Sequence, residues 1–176
     1  MIFVTGGARS GKSSLAEKMA RDCGGAVTYI ATARDGDDEM AERIASHRQR
    51  RPDGWETIEA PEDLPGVVEG ALAACEGTVL VDCLTVYISN VLLSQGIASA
   101  ERMSRAVDHD MDRMVEACMG GNGRVIVVSN EVGMGIVPEN SLARTFRDVA
   151  GRANQKLASA AQEVYLCVSG IPLKVK

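Results

Sequence analysis

Apolar positions along the chain switch repeatedly between short runs and helical stripes, and that alternation sets the expected architecture. Met1-Ile2-Phe3-Val4-Thr5 reads as a short buried strand, and Ser14-Leu15-Ala16-Glu17-Lys18-Met19-Ala20 as a helix. Asp22-Cys23-Gly24-Gly25 stops that helix, and Val27 to Thr32 is a second strand rich in β-formers. A helix is predicted from Asp37 and Asp38, with Met40, Ile44 and His47 sharing a face, until Pro52-Asp53-Gly54 ends it. Trp55 to Glu59 alternates as a strand does. Pro61-Glu62-Asp63 opens a helix through Leu64, Val67, Val68, Ala71 and Leu72, which Gly77 breaks. Thr78-Val79-Leu80-Val81-Asp82 then has the form of a central parallel strand closed by an acid, and Leu84 to Leu93 is a mainly apolar helix.

Beyond Gln95-Gly96, Met103, Val107, Met111, Met114 and Cys118 recur at helical spacings, a stripe that reads as core packing. Arg124 to Ser129 is the most strand-like run and delivers Asn130-Glu131 to a strand edge, where the loop Val132 to Pro138 begins. A helix from Ser141 carries the stripe Leu142, Phe146, Val149, Ala153 and Leu157. Val164 to Val168 is the last clear strand, with a small ribbon through Leu173 to Lys176. Repeated βα units predict one α/β domain over residues 1–176, with a mainly parallel sheet flanked by helices on both faces. Ligands in such folds gather at the C-terminal strand edges.

One of those edges carries recognisable chemistry. Gly6-Gly7-Ala8-Arg9-Ser10-Gly11-Lys12-Ser13 fits the phosphate-loop pattern and lies between the first strand and the first helix, where the mechanism requires it. Glycines let consecutive N–H groups turn toward phosphate oxygens at the positive end of the helix. Lys12 would reach the outer phosphates, and the Ser13 hydroxyl suits Mg²⁺. The topology brings Asp82, Asn130 and Glu131 to the same edge. Asp82 has two compatible roles, support of the metal and capping of the helix that follows. A guanine-specific switch would show Asn-Lys-x-Asp, and the chain contains no Asn-Lys. Asp-x-x-Gly occurs at Asp22, Asp63 and Asp148, none of which follows an apolar strand. A small-molecule kinase or nucleotidyl transferase therefore fits better than a switch.

Charge and cysteine content narrow the class further. A formal charge of −5 over 176 residues argues against a general nucleic-acid binder, while leaving room for a local basic pocket. No apolar run approaches a membrane span and no leader precedes the first strand, so a cytoplasmic location is expected. Cys23, Cys75, Cys83, Cys118 and Cys167 include no Cys-x-x-Cys pair and read as reduced, mostly buried thiols. His47 leads the segment Arg48-Gln49-Arg50-Arg51, where three arginines crowd a predicted helix C-terminus. The macrodipole alone accounts for cations there, at roughly 0.3–1 kcal/mol each. A chemical reading is also open, in which arginines gather phosphate charge while a neutral imidazole nitrogen attacks phosphorus. His109, between Asp108 and Asp110, reads as solvated.

Four segments together resemble one enzyme family. They are Gly6 to Ser13, the Asp38-Glu39-Met40-Ala41 helix with His47 downstream, Ser129-Asn130-Glu131-Val132-Gly133-Met134-Gly135-Ile136-Val137-Pro138, and Phe146-Arg147-Asp148-Val149-Ala150-Gly151-Arg152-Ala153-Asn154-Gln155. The family is the bifunctional adenosylcobinamide kinase/adenosylcobinamide-phosphate guanylyltransferase of cobalamin biosynthesis. The resemblance runs from Met1 to Lys176 and implies a recombinase-like phosphate-loop NTPase fold and a homotrimer. It implies phosphorylation of adenosylcobinamide by ATP or GTP with Mg²⁺ present, then transfer of GMP from GTP through a guanylylated His47. It also implies that Ala31, Thr32, Ala33, Arg48, Gln49, Arg50, Arg51, Glu59 and Asp82 line the GTP site. Relatives can carry glutamate where this chain has Asp82. A single-activity kinase would leave His47 as packing, and a non-enzymic nucleotide-dependent module would bind without turnover.

Overall fold

The structure is a computed structural model that describes residues 1–34, 48, 51–74, 77–94, 96 and 99–176. Strand β1 (Ile2–Gly6) leads through the glycine-rich turn into helix α1 (Lys12–Asp22), followed by β2 (Val27–Ala31) and β3 (Glu56–Glu59). Then come α2 (Leu64–Ala74), β4 (Thr78–Asp82), α3 (Leu84–Ser94) and α4 (Ala100–Gly120). The chain ends with β5 (Arg124–Asn130), α5 (Ser141–Ala160), β6 (Glu163–Val168) and β7 (Ile171–Lys174). The helix expected to begin at Asp37 and carry His47 lies outside the described residues.

The seven strands form one sheet in the order β3-β2-β4-β5-β1-β6-β7. Every pairing is parallel except the terminal hairpin of β6 and β7. Strand alternation explains how helices cover it. In β4, Val79 and Val81 join the larger core with α2, α3, α4 and α5, whereas Leu80 joins the core against α1. β5 does the same, with Val125 and Val127 on one face and Ile126 and Val128 on the other. Apolar residues at both parities are what a strand covered on two faces requires.

The long helices are built as their spacing predicts. All five residues of the α4 stripe, Met103, Val107, Met111, Met114 and Cys118, are buried. Ser99 caps α4 by accepting from the Arg102 amide, and Asn140 caps α5 by accepting from the Ala143 amide at 3.0 Å. In α5, Val149, Ala153 and Leu157 are buried, but Leu142 is exposed because the first turn lies outside the packed layer. Cys118 and Cys167 are buried free thiols, while Cys23 and Cys83 are only half-buried. Because parallel strands share a direction, Gly6, Ala31, Glu59, Asp82 and Asn130 all lie at one edge of the sheet. β5 enters between β4 and β1, so Asn130 separates Asp82 from the glycine-rich turn.

Candidate functional site

The glycine-rich turn is held tightly on the side of β6. A Cβ on Gly6 would stand 2.5 Å from the Cys167 carbonyl oxygen and 2.6 Å from Ser10 Oγ, so only glycine fits there. Gly11 precedes α1 at φ 92, in the left-handed region, and its Cβ would approach Gly170 Cα to 3.1 Å. Hydrogen bonds complete the clamp. The Gly170 amide donates to Ser10 O at 2.9 Å, the Ser10 amide to Gly7 O at 3.3 Å, and the Glu131 amide to Gly6 O at 2.9 Å. Gly7, Ala8 and Arg9 remain exposed at the tip. Among the described residues, Ser10 Oγ and Thr5 Oγ1 are buried without a hydrogen-bond partner. Buried hydroxyls are rarely left that way; Ser10 belongs to the turn and Thr5 to the strand that leads into it.

Lys12 folds back into the turn it follows. Its side chain is 8% exposed, and Nζ donates to Gly7 O at 2.9 Å. Burial holds the ammonium below the ordinary lysine range, opposed by Cys83, Asp82 and Cys167. Asp82 and Lys12 therefore feel one another electrostatically, although they come from strands separated by β5. Asp82 Oδ2 accepts the Tyr29 hydroxyl at 2.8 Å. Register explains the bond: Ala31 pairs with Asp82 and Tyr29 with Leu80, so Tyr29 and Asp82 are diagonal neighbours on one face. The buried Tyr29 ring lies under Arg51, whose guanidinium carbon is 3.5 Å from its centroid. Burial and Asp82 push the Tyr29 hydroxyl well above its usual range, so it remains a donor.

Arg51 forms part of a cleft of about 430 Å³ lined by Arg48, Arg51, Asp53, Trp55, Thr57 and Glu59 among others. Arg48 is ion-paired with Glu59, and Arg51 donates to Thr57 Oγ1 at 3.3 Å. Arg51 Nε is buried without an acceptor among the described residues. Of the residues expected to line a GTP site, the cleft brings together Arg48, Arg51 and Glu59. Ala31 and Thr32 lie one strand nearer the turn than β3, at the end of β2, where Thr32 Oγ1 donates to Cys83 O at 2.7 Å. Ala33 follows, half-buried. His47, Gln49 and Arg50 lie outside the described residues. Trp55, Asp53 and Tyr29 were not singled out by spacing. Their signal was adjacency in the sheet, which no local pattern contains.

Asn130 and Glu131 are held rather than free. Asn130 Nδ2 donates to Thr85 Oγ1 at 2.6 Å, and its carbonyl accepts from Asn154 Nδ2 at 3.0 Å. Asn154 Oδ1 also accepts from Ser129 Oγ, so a buried asparagine of α5 fixes the end of β5. Glu131 Oε1 accepts from the Gly133 amide at 2.9 Å, shaping the loop beyond. His109 is exposed, as expected, and borders a separate cleft with Tyr87 and Asp110.

For a magnesium ion, the relevant donors are the half-buried Ser13 hydroxyl and the Asp82 carboxylate. Both are hard oxygen donors, which suits Mg²⁺. Among the described residues no group of three or more His, Cys, Asp or Glu could hold a metal. Two such donors would suit an ion that takes its remaining ligands from elsewhere.

Comparison with known proteins gives these features a context. The profile of the family described as Cobinamide kinase / cobinamide phosphate guanyltransferase matches residues 2–175. The Bifunctional adenosylcobalamin biosynthesis protein CobU of Salmonella typhimurium is 47% identical over 100% of this chain and 99% of its own. Its namesake from Escherichia coli is 46% identical with the same coverage. The Bifunctional adenosylcobalamin biosynthesis protein CobP of Pseudomonas aeruginosa is 42% identical over 99% of this chain and 96% of its own. Among solved structures, the RadB recombinase superposes with a TM-score of 0.50 at 14% identity, covering 94% of this chain and 72% of that one. That likeness establishes the recombinase-like phosphate-loop fold.

The Tyr29 bridge yields a separable expectation. Tyr29→Phe keeps the ring beneath Arg51 and should lower stability by only about 0.5–1.5 kcal/mol, the usual cost of one hydrogen bond. Tyr29→Ala should cost about 3–5 kcal/mol by opening a cavity. Urea titration of both variants checks this. Equal losses would mean that the ring contributes nothing.

Proposed function

The chain belongs to the cobinamide kinase / cobinamide phosphate guanyltransferase family, and on that premise we propose how its residues divide two reactions of adenosylcobalamin biosynthesis. The protein is a bifunctional enzyme, a kinase and a guanylyltransferase. In the first reaction a nucleoside triphosphate, ATP or GTP, lies with its phosphates in the turn from Gly6 to Ser13. The hydroxyl of adenosylcobinamide attacks the γ-phosphorus, a new P–O bond forms, and the bond to the β-phosphate oxygen breaks. Lys12 moves from Gly7 O to the phosphates and counters the developing charge. Ser13 and Asp82 would hold Mg²⁺, which supplies further charge neutralisation on the phosphate oxygens when bound.

In the second reaction a nitrogen of His47 attacks the α-phosphorus of GTP and pyrophosphate leaves. The phosphate of adenosylcobinamide phosphate then displaces the imidazole, giving adenosylcobinamide-GDP and restoring His47. Arg48, Gln49, Arg50, Arg51 and Glu59, with Ala31, Thr32 and Ala33 at the β2 edge, make up the GTP side of this site. Glu59 offers acceptors for ribose hydroxyls or guanine. The observation that carries the reading is the buried Lys12 ammonium, whose hydrogen bond among the described residues is to the Gly7 carbonyl, in a turn where the buried Ser10 hydroxyl has no partner among those residues, an arrangement that phosphate oxygens would complete. The reading takes residues 1–176 as one catalytic domain working as a homotrimer in the cytoplasm. Edge strand β7, with Ile171 and Leu173 exposed, supports an association surface.

Incubation with α-labelled GTP and Mg²⁺, followed by denaturation, should leave label on the chain at His47, lost in acid and stable in alkali as a phosphoramidate is. Label transferred from γ-labelled GTP alone, or mapped to His109, contradicts the covalent step.

Two substitutions then separate the chemistries. Lys12→Ala should suppress both activities by about 100-fold or more, since both need triphosphate charge countered. His47→Ala should abolish adenosylcobinamide-GDP formation while phosphorylation of adenosylcobinamide persists. Equal collapse of both activities in a folded His47→Ala protein, shown by circular dichroism, would give His47 a structural role.

A further inference from the structure

The segment after β5 leaves the sheet between Asp82 on β4 and the phosphate turn on β1. Its start is pinned by the Glu131 amide on Gly6 O, and its end by Arg144, whose guanidinium donates to the carbonyls of Pro138 and Glu139 at 2.9 and 2.6 Å. Between those anchors it presents large apolar side chains to solvent. Met134 is 82% exposed, Ile136 96% and Val137 58%. A loop fixed at both ends that shows three such side chains has an apolar surface awaiting a partner.

We propose that Met134, Ile136 and Val137 seat the corrin macrocycle of the acceptor, an inference that rests on the kinase reading above. The argument is positional and chemical. The acceptor alcohol must reach the γ-phosphate, so the bulk of its molecule must rest on surface adjoining the phosphate turn. This loop adjoins that turn on the side of Asp82. The corrin ring is broad enough to cover three side chains of this loop, and its methyl-bearing rim and faces, between the peripheral amides, offer apolar surface that gains by being covered. The other exposed apolar group near the turn, Val168, Ile171, Leu173 and Val175, follows the β6–β7 edge of the sheet, on the far side of the turn from Asp82. An edge strand suits pairing with another chain rather than a flat ligand.

The test uses the full chain with Met134→Ser/Ile136→Ser, and Met134→Leu/Ile136→Leu as the conservative control. Neither position belongs to the phosphate site. Equilibrium dialysis of adenosylcobinamide, followed by corrin absorbance, should show affinity weakened about tenfold or more in the serine variant and restored in the leucine variant. KM for adenosylcobinamide should rise in parallel, while KM for the nucleotide and self-guanylylation by GTP, which needs no corrinoid, stay unchanged. Unchanged corrinoid affinity in the serine variant overturns the proposal. So does weakened affinity accompanied by a fall in subunit association on light scattering, which would assign the face to a second copy of the chain. If the unsubstituted protein binds adenosylcobinamide but does not phosphorylate it, the kinase reading fails and the docking proposal is judged on dialysis alone.

Discussion

The arrangement depends on keeping one ammonium group out of water. Lys12 is buried with, among the described residues, a neutral carbonyl as its hydrogen-bond partner, and burial already disfavours its charge. The backbone around it is held by close contacts and hydrogen bonds. Gly6 is wedged against Cys167, Gly11 against Gly170, and β5 is tied to the turn through Glu131. These contacts come from the ends of β5 and β6, the two strands flanking β1, and the residues just beyond them. The parallel sheet thus fixes the turn into which Lys12 folds, and on the proposed reading Nζ exchanges the Gly7 carbonyl for phosphate oxygens when a triphosphate binds.

The same sheet joins two regions that sequence keeps apart. Asp82 is near enough to Lys12 to influence it, and Tyr29 connects Asp82 to Arg51 through a hydroxyl on one end of the ring and a guanidinium over its face. Contacts thus run from the arginine-lined cleft beside β3 through Tyr29 to Asp82 on β4, and Asp82 acts on Lys12 through its charge.

Much of this was legible in the residues because local physics determines it. Thr78 to Asp82 forms a strand with the bounds its apolar run suggests, and the Met103-to-Cys118 stripe is buried at every position. The phosphate turn is recognisable because glycine and lysine spacing reflects steric and charge requirements within a few residues. Strand order was not legible, since nothing in Arg124 to Asn130 says that it inserts between β4 and β1. Nor was the role of Tyr29, which reads as a generic β-former until Asp82 and Arg51 are placed beside it. Leu142 fits the helical stripe of α5 by period yet is exposed, because periodicity does not say where the packed layer ends. His47 lies outside the described residues, and its part in the proposed site rests on resemblance and on chemistry.

The central claim is that the buried Lys12 ammonium is a charge held ready for nucleotide phosphates. It is tested most directly by a crystal structure of the protein with Mg²⁺ and a GTP analogue whose β,γ-bridge cannot be cleaved. The account predicts that Lys12 Nζ leaves the Gly7 carbonyl for phosphate oxygens, with the amides from Gly7 to Ser13 around the triphosphate. A structure with the triphosphate bound elsewhere, and Lys12 still on Gly7 O, would contradict it.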